Sequence, residues 1–311
     1  MKNMYLLLVL VCSPLLACEQ ELPADDLPQK RIALLMSPQN PTLKKIKDGV
    51  QEGLKKAIGI KAWLHVFEAD SIQEREDWIK SIIEPGEFHA AFAIGQVSMN
   101  ALGDYALNNG SKLPIVGIGG PSRSLAQRYQ ERYPITWVTE ERQYGKQLDK
   151  LLEKEPNIKS ILLVHDCEGS PGNTSAVQDL RKACTEKFLD FEVVKFEGAN
   201  KLGGRVTTRI KEAKPDIVMT FKDTAIMAVM KKLAYLCSQE KVKLYAANLT
   251  AVEDGADYAF GFPEEEFGKA AGSIMLDILE HGIAPCQIKP KDLSVLSKLV
   301  IKQKTEQTVQ K

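Results

Sequence analysis

Polar residues follow several short apolar segments of this chain, at positions suited to hydrogen bonding with a small molecule. Hydroxyl and amide groups both donate and accept hydrogen bonds, and the carboxylate of Asp223 would pair with an ammonium group. Several of these residues open predicted helices, whose free N–H groups and dipole favour an anion. Together they predict a site for a free amino acid or a similar small polar metabolite. The candidate contacts are Ser37, Gln39, Asn40, Gln96, Ser98, Gly120, Asp166, Thr174, Ser175, Asp223, Thr224 and Asn248.

Helix capping is the plainer interpretation of the same residues. Ser98, Thr174 and Ser175 are of types that commonly cap helices. Asp223 can serve as the N-cap of a helix that starts at Thr224. Lys222 either pairs with Asp223 or receives an anionic group of a ligand.

Motifs for catalysis, metals and cofactors are absent from the sequence. It contains no G-x-S-x-G turn, no phosphate-binding G-x-x-x-x-G-K loop and no histidine pair with metal-ligand spacing. The sequence therefore predicts no catalytic residue, no metal and no cofactor. Four cysteines lie beyond residue 18 and none has C-x-x-C spacing, so they form disulfides with three possible connectivities or remain buried thiols. They are Cys167, Cys184, Cys237 and Cys286.

Strands and helices alternate along the chain and must position the polar residues. Apolar runs predict strands at 31–36, 62–67, 90–95 and 113–118, and the pattern restarts after Trp137 with strands at 158–165, 191–196, 216–221 and 242–246. Amphipathic helices separate these runs, which is typical of parallel sheets covered on both faces. Ligands of such sheets bind beyond the carboxyl ends of the strands, where the candidate contacts lie.

The domain organisation follows from this repetition. Residues 31–138 are predicted to form a first lobe and residues 139–253 a second lobe. Residues 254–311, with a long predicted helix from Pro263, are expected to return to the hinge and the first lobe. The chain should cross between the lobes near 137–138, near 251–255 and after the long helix. The predicted fold class is α/β, with two doubly wound parallel-sheet lobes joined by a multi-crossing hinge.

The amino end resembles an export signal. Lys2 precedes an apolar run that is shorter than the roughly 20 residues of a membrane-spanning helix. The sequence at 15–18, Leu-Leu-Ala-Cys, resembles a bacterial lipobox, in which the cysteine is acylated and becomes the first residue. We therefore expect a signal peptide at 1–17, and a lipid anchor on Cys18 with a tether to residue 30. The alternative is an ordinary signal peptide with an incidental cysteine.

The charge composition argues against nucleic acid as a partner. The chain has 41 basic and 41 acidic residues among 311, with no basic block.

The expected location is outside the inner membrane, with the protein anchored by lipid at the cell envelope and touching the membrane only through that anchor.

Three stretches between Ile32 and about Lys302 resemble the ABC transporter substrate-binding family that includes tryptophan- and tyrosine-type binding proteins. Residues 95–102, GQVSMNAL, are similar to the family's Gly-Thr-Pro-Ala-Ala-Gln-Ala-Leu. Residues 215–224 resemble its strand ending in Thr-Asp-Asn-Thr. Residues 267–285 resemble its Leu-Gly-Arg-x-Ala helix and closing Ile-Leu-x-Gly-x-x-Pro.

The resemblance implies a type I periplasmic-binding-protein-like fold and a small-molecule solute held between the lobes. It also implies an ABC permease as the membrane partner, and a monomeric chain that is not an enzyme. The family's Thr-Pro is Gln96-Val97 here, and its Thr-Asp-Asn-Thr is replaced by residues 222–225, which adds the cation Lys222 beside the acid. The alternatives are a nucleoside or sugar as the solute, or a non-transport envelope lipoprotein that serves as an interaction or sensor module.

Overall fold

The structure, a computed structural model, describes two α/β lobes. The described residues are 27–37, 41–69, 71–121, 123–132, 134–140, 144–166, 171–196, 204–222 and 224–302. The predicted fold class is confirmed, because each lobe is built on its own six-stranded sheet with helices on both faces. Among the described residues no helix is both long and apolar enough to cross a membrane.

The first lobe is assembled mainly from residues 29–139. Its elements are β1 (Gln29–Met36), α1 (Pro41–Leu54), β2 (Lys61–Glu68), α2 (Ile72–Ile83), β3 (Ala90–Ile94), α3 (Gln96–Asn108), β4 (Ile115–Ile118), α4 (Arg123–Arg132) and β5 (Ile135–Thr139). These five strands pair in parallel in the order β5-β4-β3-β1-β2. Every residue of β3 and β4 is buried, as expected for strands covered on both faces.

The second lobe repeats this arrangement. Its elements are α5 (Tyr144–Lys154), β6 (Ser160–Asp166), α6 (Pro171–Glu186), β7 (Asp190–Phe196), α7 (Arg205–Ala213), β8 (Ile217–Thr220), α8 (Thr224–Ala228), α9 (Met230–Gln239), β9 (Lys243–Ala246), a 3₁₀ turn (Leu249–Val252) and β10 (Tyr258–Gly261). The strands β10-β9-β8-β6-β7 are parallel neighbours. Cys184 and Cys237 are buried free thiols and Cys286 is an exposed one, while Cys167 lies outside the described residues.

The rest of the chain serves both lobes. It forms α10 (Glu264–Leu279), a 3₁₀ turn (Pro285–Gln287), β11 (Lys291–Asp292), a second turn (Ser294–Leu296) and β12 (Lys298–Ile301). The sequence assigned residues 254–311 to the hinge and the first lobe. In the structure α10 and β11 join the first lobe, but β10 and β12 belong to the second sheet, where β12 pairs antiparallel with β10.

The crossings between lobes also lie later than the sequence suggested. The first crossing follows β5 and does not lie at residues 137–138. Trp137 and Val138 belong to β5, because they pair with Gly117 and Ile118 of β4 in the first sheet. The second crossing follows β10 rather than residues 251–255, since Tyr258 pairs with Tyr245 of β9. The third lies between β11 and β12. The described chain therefore connects the two sheets three times.

Helix α10 packs directly on α1 and fixes the returning chain to the first lobe. Gly49 and Gly53 of α1 face Gly268 and Gly272 of α10, and the two backbones approach so closely that side chains would not fit between them. Ala271, also on α10, is fully buried in the same core as the apolar strands of the first sheet. This contact turns a segment distant in sequence into part of the first lobe.

Asp216 fastens the start of β8 to the start of β6. Its carboxylate accepts hydrogen bonds from the backbone N–H groups of Lys159, at 2.8 Å, and Ser160, at 2.9 Å. Burial acts to raise the pKa of Asp216, but the hydrogen bonds from Lys159 and Ser160 outweigh it, so the pKa lies below its ordinary value.

This carboxylate predicts a loss of stability in acid. A pKa that is lower in the folded state contributes stability above the unfolded value, and that contribution disappears as the pH falls through the folded value. We therefore expect Asp216→Asn to be less stable than the natural chain at pH 7, with the difference shrinking below about pH 4. Urea unfolding at a series of pH values measures this, and an equal difference at pH 7 and pH 3 would contradict it.

Candidate functional site

The carboxyl ends of the strands in the two sheets lie on the facing sides of the lobes. Thr42, at the start of α1 just beyond β1, is buried against the second lobe. Its Oγ1 lies 3.3 Å from Oγ1 of Thr250 and 3.6 Å from Sδ of Met227, both in loops or helices that follow second-lobe strands. Lys45 and Glu253 form an ion pair of 3.4 Å nearby. These contacts show that the strand ends of both lobes border one shared cleft.

A recess that opens to solvent lies on the second-lobe side of the first crossing. It combines aromatic rings with an amide, a carboxylate and an ammonium group. The crossing segment, α5 and the ends of three neighbouring strands contribute its walls. The lining residues are Glu140, Tyr144, Gln147, Phe221, Lys222, Ala247 and Phe260.

The aromatic part of this recess is rigidly built. The rings of Tyr144 and Phe221 pack with centroids 5.6 Å apart, and both side chains are almost fully buried. Behind them, Tyr245 is completely buried, and its hydroxyl lies 3.5 Å from Oε1 of Gln147. Burial raises the pKa of Tyr245 well above its ordinary value, so the phenol keeps its proton. The floor is therefore uncharged, and the charged groups of the lining are Glu140 and Lys222.

Lys222 lies between this recess and the start of α10. Its Nζ is 3.8 Å from Oε1 of Glu264. The same Nζ lies 5.5 Å from the ring centroids of Phe262 and Phe267, which stack on each other. We call Lys222, Phe262, Glu264 and Phe267 the lysine corner.

Three polar atoms at the cleft ends of the sheets are buried and have no hydrogen-bond partner among the described residues. They are Oγ of Ser98, Oγ1 of Thr220 and Oδ1 of Asn248. Thr220 ends β8, and Asn248 follows β9 with its amide nitrogen donating to Thr250 Oγ1 at 2.6 Å. Buried polar groups are nearly always paired in folded proteins, so an unpaired set calls for an explanation such as a bound molecule.

The predicted contacts are placed as follows. Ser37 is half-buried directly after β1, Gln96 opens α3, and Gly120 has a positive φ of 70° after β4. Ser98 does not cap α3, because the N-cap is Gly95 and the Ser98 hydroxyl has no partner. Gln39, Asn40 and Asp223 lie outside the described residues, as do the side chains of Asp166, Thr174, Ser175 and Thr224. Cys18 also lies outside them.

None of the predicted contacts within the described part of the chain lines the recess, although two recess residues are immediate neighbours of predicted ones. Lys222 precedes Asp223, and Ala247 precedes Asn248. The predicted contacts do not include Tyr144, for which the sequence favours hinge packing over a place in the cleft, or Gln147 and Phe260; these three come from α5 and β10 rather than from loops after strands. The sequence also missed Glu264. The signal for α5 is its position directly after the first crossing, where a helix must border the cleft.

The comparisons with known proteins agree with this architecture. A family model described as ABC transporter substrate binding protein matches residues 31–310. The fold is similar to a structure from Streptococcus pneumonia described as an ABC domain in complex with L-Trp, with a TM-score of 0.74 and 17% identity over 88% of this chain and 92% of that one.

Two further structures have similar folds. A conserved domain protein from Vibrio cholerae has a TM-score of 0.71 at 17% identity, covering 88% of this chain and 91% of that one. A leucine binding protein from Thermotoga maritima has a TM-score of 0.63 at 13% identity, covering 82% and 83%. No curated protein matches the sequence.

Proposed function

Because the chain belongs to the family of ABC transporter substrate-binding proteins, we propose that it captures an amino acid or a similar small polar metabolite between its lobes and delivers it to a membrane permease. The recess at the first crossing is the observation that carries this proposal. Its aromatic walls lie beside one cation and one carboxylate, and a mainly apolar lining with a few polar groups is typical of small-molecule sites. A zwitterion with an apolar side chain matches that combination.

The unpaired buried atoms support the same proposal. Ser98 contributes from the first lobe, and Thr220 and Asn248 contribute from the second. A solute held between the lobes, or water bound with it, would complete their hydrogen bonds. Hinge rotation at the crossings would then bury the solute and hold it until a permease accepts it, without any bond being made or broken.

We predict that a cognate solute raises the melting temperature of the full chain in mild detergent. A ligand at 100 times its dissociation constant adds about 2.7 kcal/mol to the free energy of unfolding. For a chain of this size that corresponds to a shift of roughly 4 °C. Thermal scanning with a panel of amino acids, nucleosides and sugars measures this shift.

The pattern of responses separates the candidate functions. A rise in melting temperature with amino acids alone supports the proposal. A rise with nucleosides or sugars alone would mean that the protein binds a solute of another class. A neighbour from Clostridium phytofermentas is described with bound L-rhamnose, which makes the sugar arm worth including. No shift with any member would contradict solute binding and favour an interaction or sensor module.

The location we propose is the cell envelope, with a monomeric body held by lipid on Cys18 after removal of residues 1–17. Several acyl chains on one residue anchor a protein stably, whereas a single chain binds membranes only marginally. The polar segment that follows, with prolines at 23 and 28, suits a tether. Such a tether would keep the cleft close to a permease in the same membrane.

A further inference from the structure

The lysine corner contains a buried carboxylate that its lysine only partly satisfies. Glu264 is 3% exposed, and its Oε1 has no hydrogen-bond partner within the described part of the chain. The 3.8 Å to Lys222 Nζ is an ion-pair distance but too long for a hydrogen bond. A buried charge is costly unless it is paired and hydrogen-bonded. The corner therefore holds a negative charge that attracts a cation strongly.

The aromatic rings of the corner add to that attraction. Phe262 and Phe267 stack with centroids 4.2 Å apart, and Lys222 Nζ lies 5.5 Å from each. Cations are attracted to aromatic faces within about 6 Å. A carboxylate with two aromatic rings is a binding site for an organic ammonium group. In this chain the ammonium group is supplied by Lys222 itself.

The two halves of the corner come from different lobes. Phe262 and Phe267 are buried in the core of the first lobe, although they follow the last parallel strand of the second sheet. Lys222 follows β8 in the second lobe and reaches across to them. Its side chain is 24% exposed and lines the recess, so part of this cationic side chain borders the space available to a solute.

We propose that Lys222 fills a cation site with its own side chain and thereby makes the cleft select a solute with an anionic group at this corner. This inference rests on the proposed solute-binding function and names the residues that set its charge preference. An ammonium on the solute meets an occupied site and a like charge. A carboxylate instead accepts from the Lys222 N–H groups, none of which donates a hydrogen bond to another described residue.

A zwitterionic solute fits this scheme in one orientation. Its carboxylate lies toward Lys222, and its ammonium group lies elsewhere in the recess, where Glu140 provides a carboxylate. Glu140 also accepts a hydrogen bond from Ser297 Oγ at 3.2 Å, which ties it to the segment between β11 and β12. The charge of Lys222 then determines both which solutes the cleft prefers and how a zwitterion is oriented in the recess.

The test compares three compounds that share one hydrocarbon body, chosen to suit the aromatic recess. They are 3-phenylpropionate, 2-phenylethylamine and L-phenylalanine, titrated by calorimetry into the full chain in mild detergent. The natural chain should bind the acid and the zwitterion at least roughly tenfold more tightly than the amine, the scale of one charge-assisted hydrogen bond. In Lys222→Met the order should reverse. The affinity for the acid should fall tenfold or more. The amine should bind more tightly than it does to the natural chain, because the Lys222 ammonium group no longer occupies the site beside Glu264.

Three further variants serve as controls for the titrations. Lys231→Met removes a charge from an 80% exposed side chain of the same lobe and should leave all three affinities unchanged. Lys222→Arg keeps the cation and should keep the preference for the acid. Lys222→Met combined with Glu264→Gln removes both charges of the corner and should lose the gain in amine binding. Circular dichroism and melting temperature establish that each variant is folded.

The outcomes separate this inference from the function on which it rests. Equal binding of the acid and the amine by the natural chain overturns the inference, as does an equal loss of all three compounds in Lys222→Met. If none of the three binds while another solute raises the melting temperature, the inference is wrong and solute capture stands. If no solute raises it, both are wrong.

Discussion

Gly268→Ala is expected to lower the free energy of unfolding by about 3 kcal/mol or more, the upper part of the range for overpacked cores. A Cβ at this position would lie 2.0 Å from the carbonyl oxygen of Ile46 and 2.4 Å from the amide nitrogen of Val50. These are backbone atoms of α1, so no change of rotamer relieves the overlap. The two helices would have to separate, which would loosen the core that α10 completes.

The contact is reciprocal, which gives the prediction a second test. A Cβ on Gly49 would lie 2.1 Å from the carbonyl oxygen of Glu265, again a backbone atom. Gly49→Ala should therefore be about as destabilising as Gly268→Ala, and the effects should not add, because either one separates the same helices.

Thermal unfolding followed by circular dichroism measures these effects. A loss of about 3 kcal/mol corresponds to a fall of roughly 5 °C in melting temperature. Gly145→Ala is the matched control, since it makes the same change within α5 where a Cβ meets no atom within 4 Å. Alanine is favoured over glycine in a helix, so this control should be stabilised by about 0.5–1 kcal/mol. If Gly268→Ala and the control Gly145→Ala have the same melting temperature, the close contact between α1 and α10 is disproved.

Cys18→Ser should abolish lipid attachment completely. Serine lacks the thiol that carries the first acyl chain, and nothing else in the sequence 15–18 can replace it. The natural chain should incorporate a radiolabelled fatty acid and carry residue 18 as its first residue by mass spectrometry. The variant should take up no label.

Cys286→Ser is the control for this change. Cys286 is exposed and free, so it is the described cysteine most open to adventitious labelling. Its replacement should leave the label in place. Label that persists in Cys18→Ser, or a natural chain that is cut elsewhere and unlabelled, would favour an ordinary signal peptide.

Much of the fold could be predicted from sequence because buried parallel strands consist of uninterrupted runs of apolar residues. Residues 90–94 and 115–118 are such runs, and both are central strands. By contrast α4 and β5 have no counterpart among the predicted elements, because α4 is mostly polar and residues 137–138 of β5 were assigned to a crossing between the lobes. β11 has two residues and exists only through its pairing with β5. Such elements depend on neighbours that a local pattern does not contain.

The candidate site was predictable only in part, for a similar reason. The rule that ligands bind beyond strand ends points to the side of each sheet that faces the other lobe, and the recess opens on that side of the second sheet. It does not indicate that Tyr144 on α5 and Phe260 on β10 converge with Lys222, because their meeting depends on how the crossings fold. Glu264 is one of three consecutive glutamates, and only burial distinguishes it from its two neighbours. The binding role of the twelve predicted contacts remains a prediction.

The packing of α10 on α1 has a consequence for how the protein is made. Synthesis proceeds from the amino end, and early domains commonly fold before later ones appear. Here the helix that completes the first lobe follows its partner by more than 200 residues. The second lobe's strands β6 to β9 are therefore synthesised before the first lobe can be finished. The half of the protein that emerges first therefore keeps an apolar face uncovered until α10 is made, and the second sheet gains β12 only after α10, so neither lobe is complete until nearly the whole chain has been synthesised.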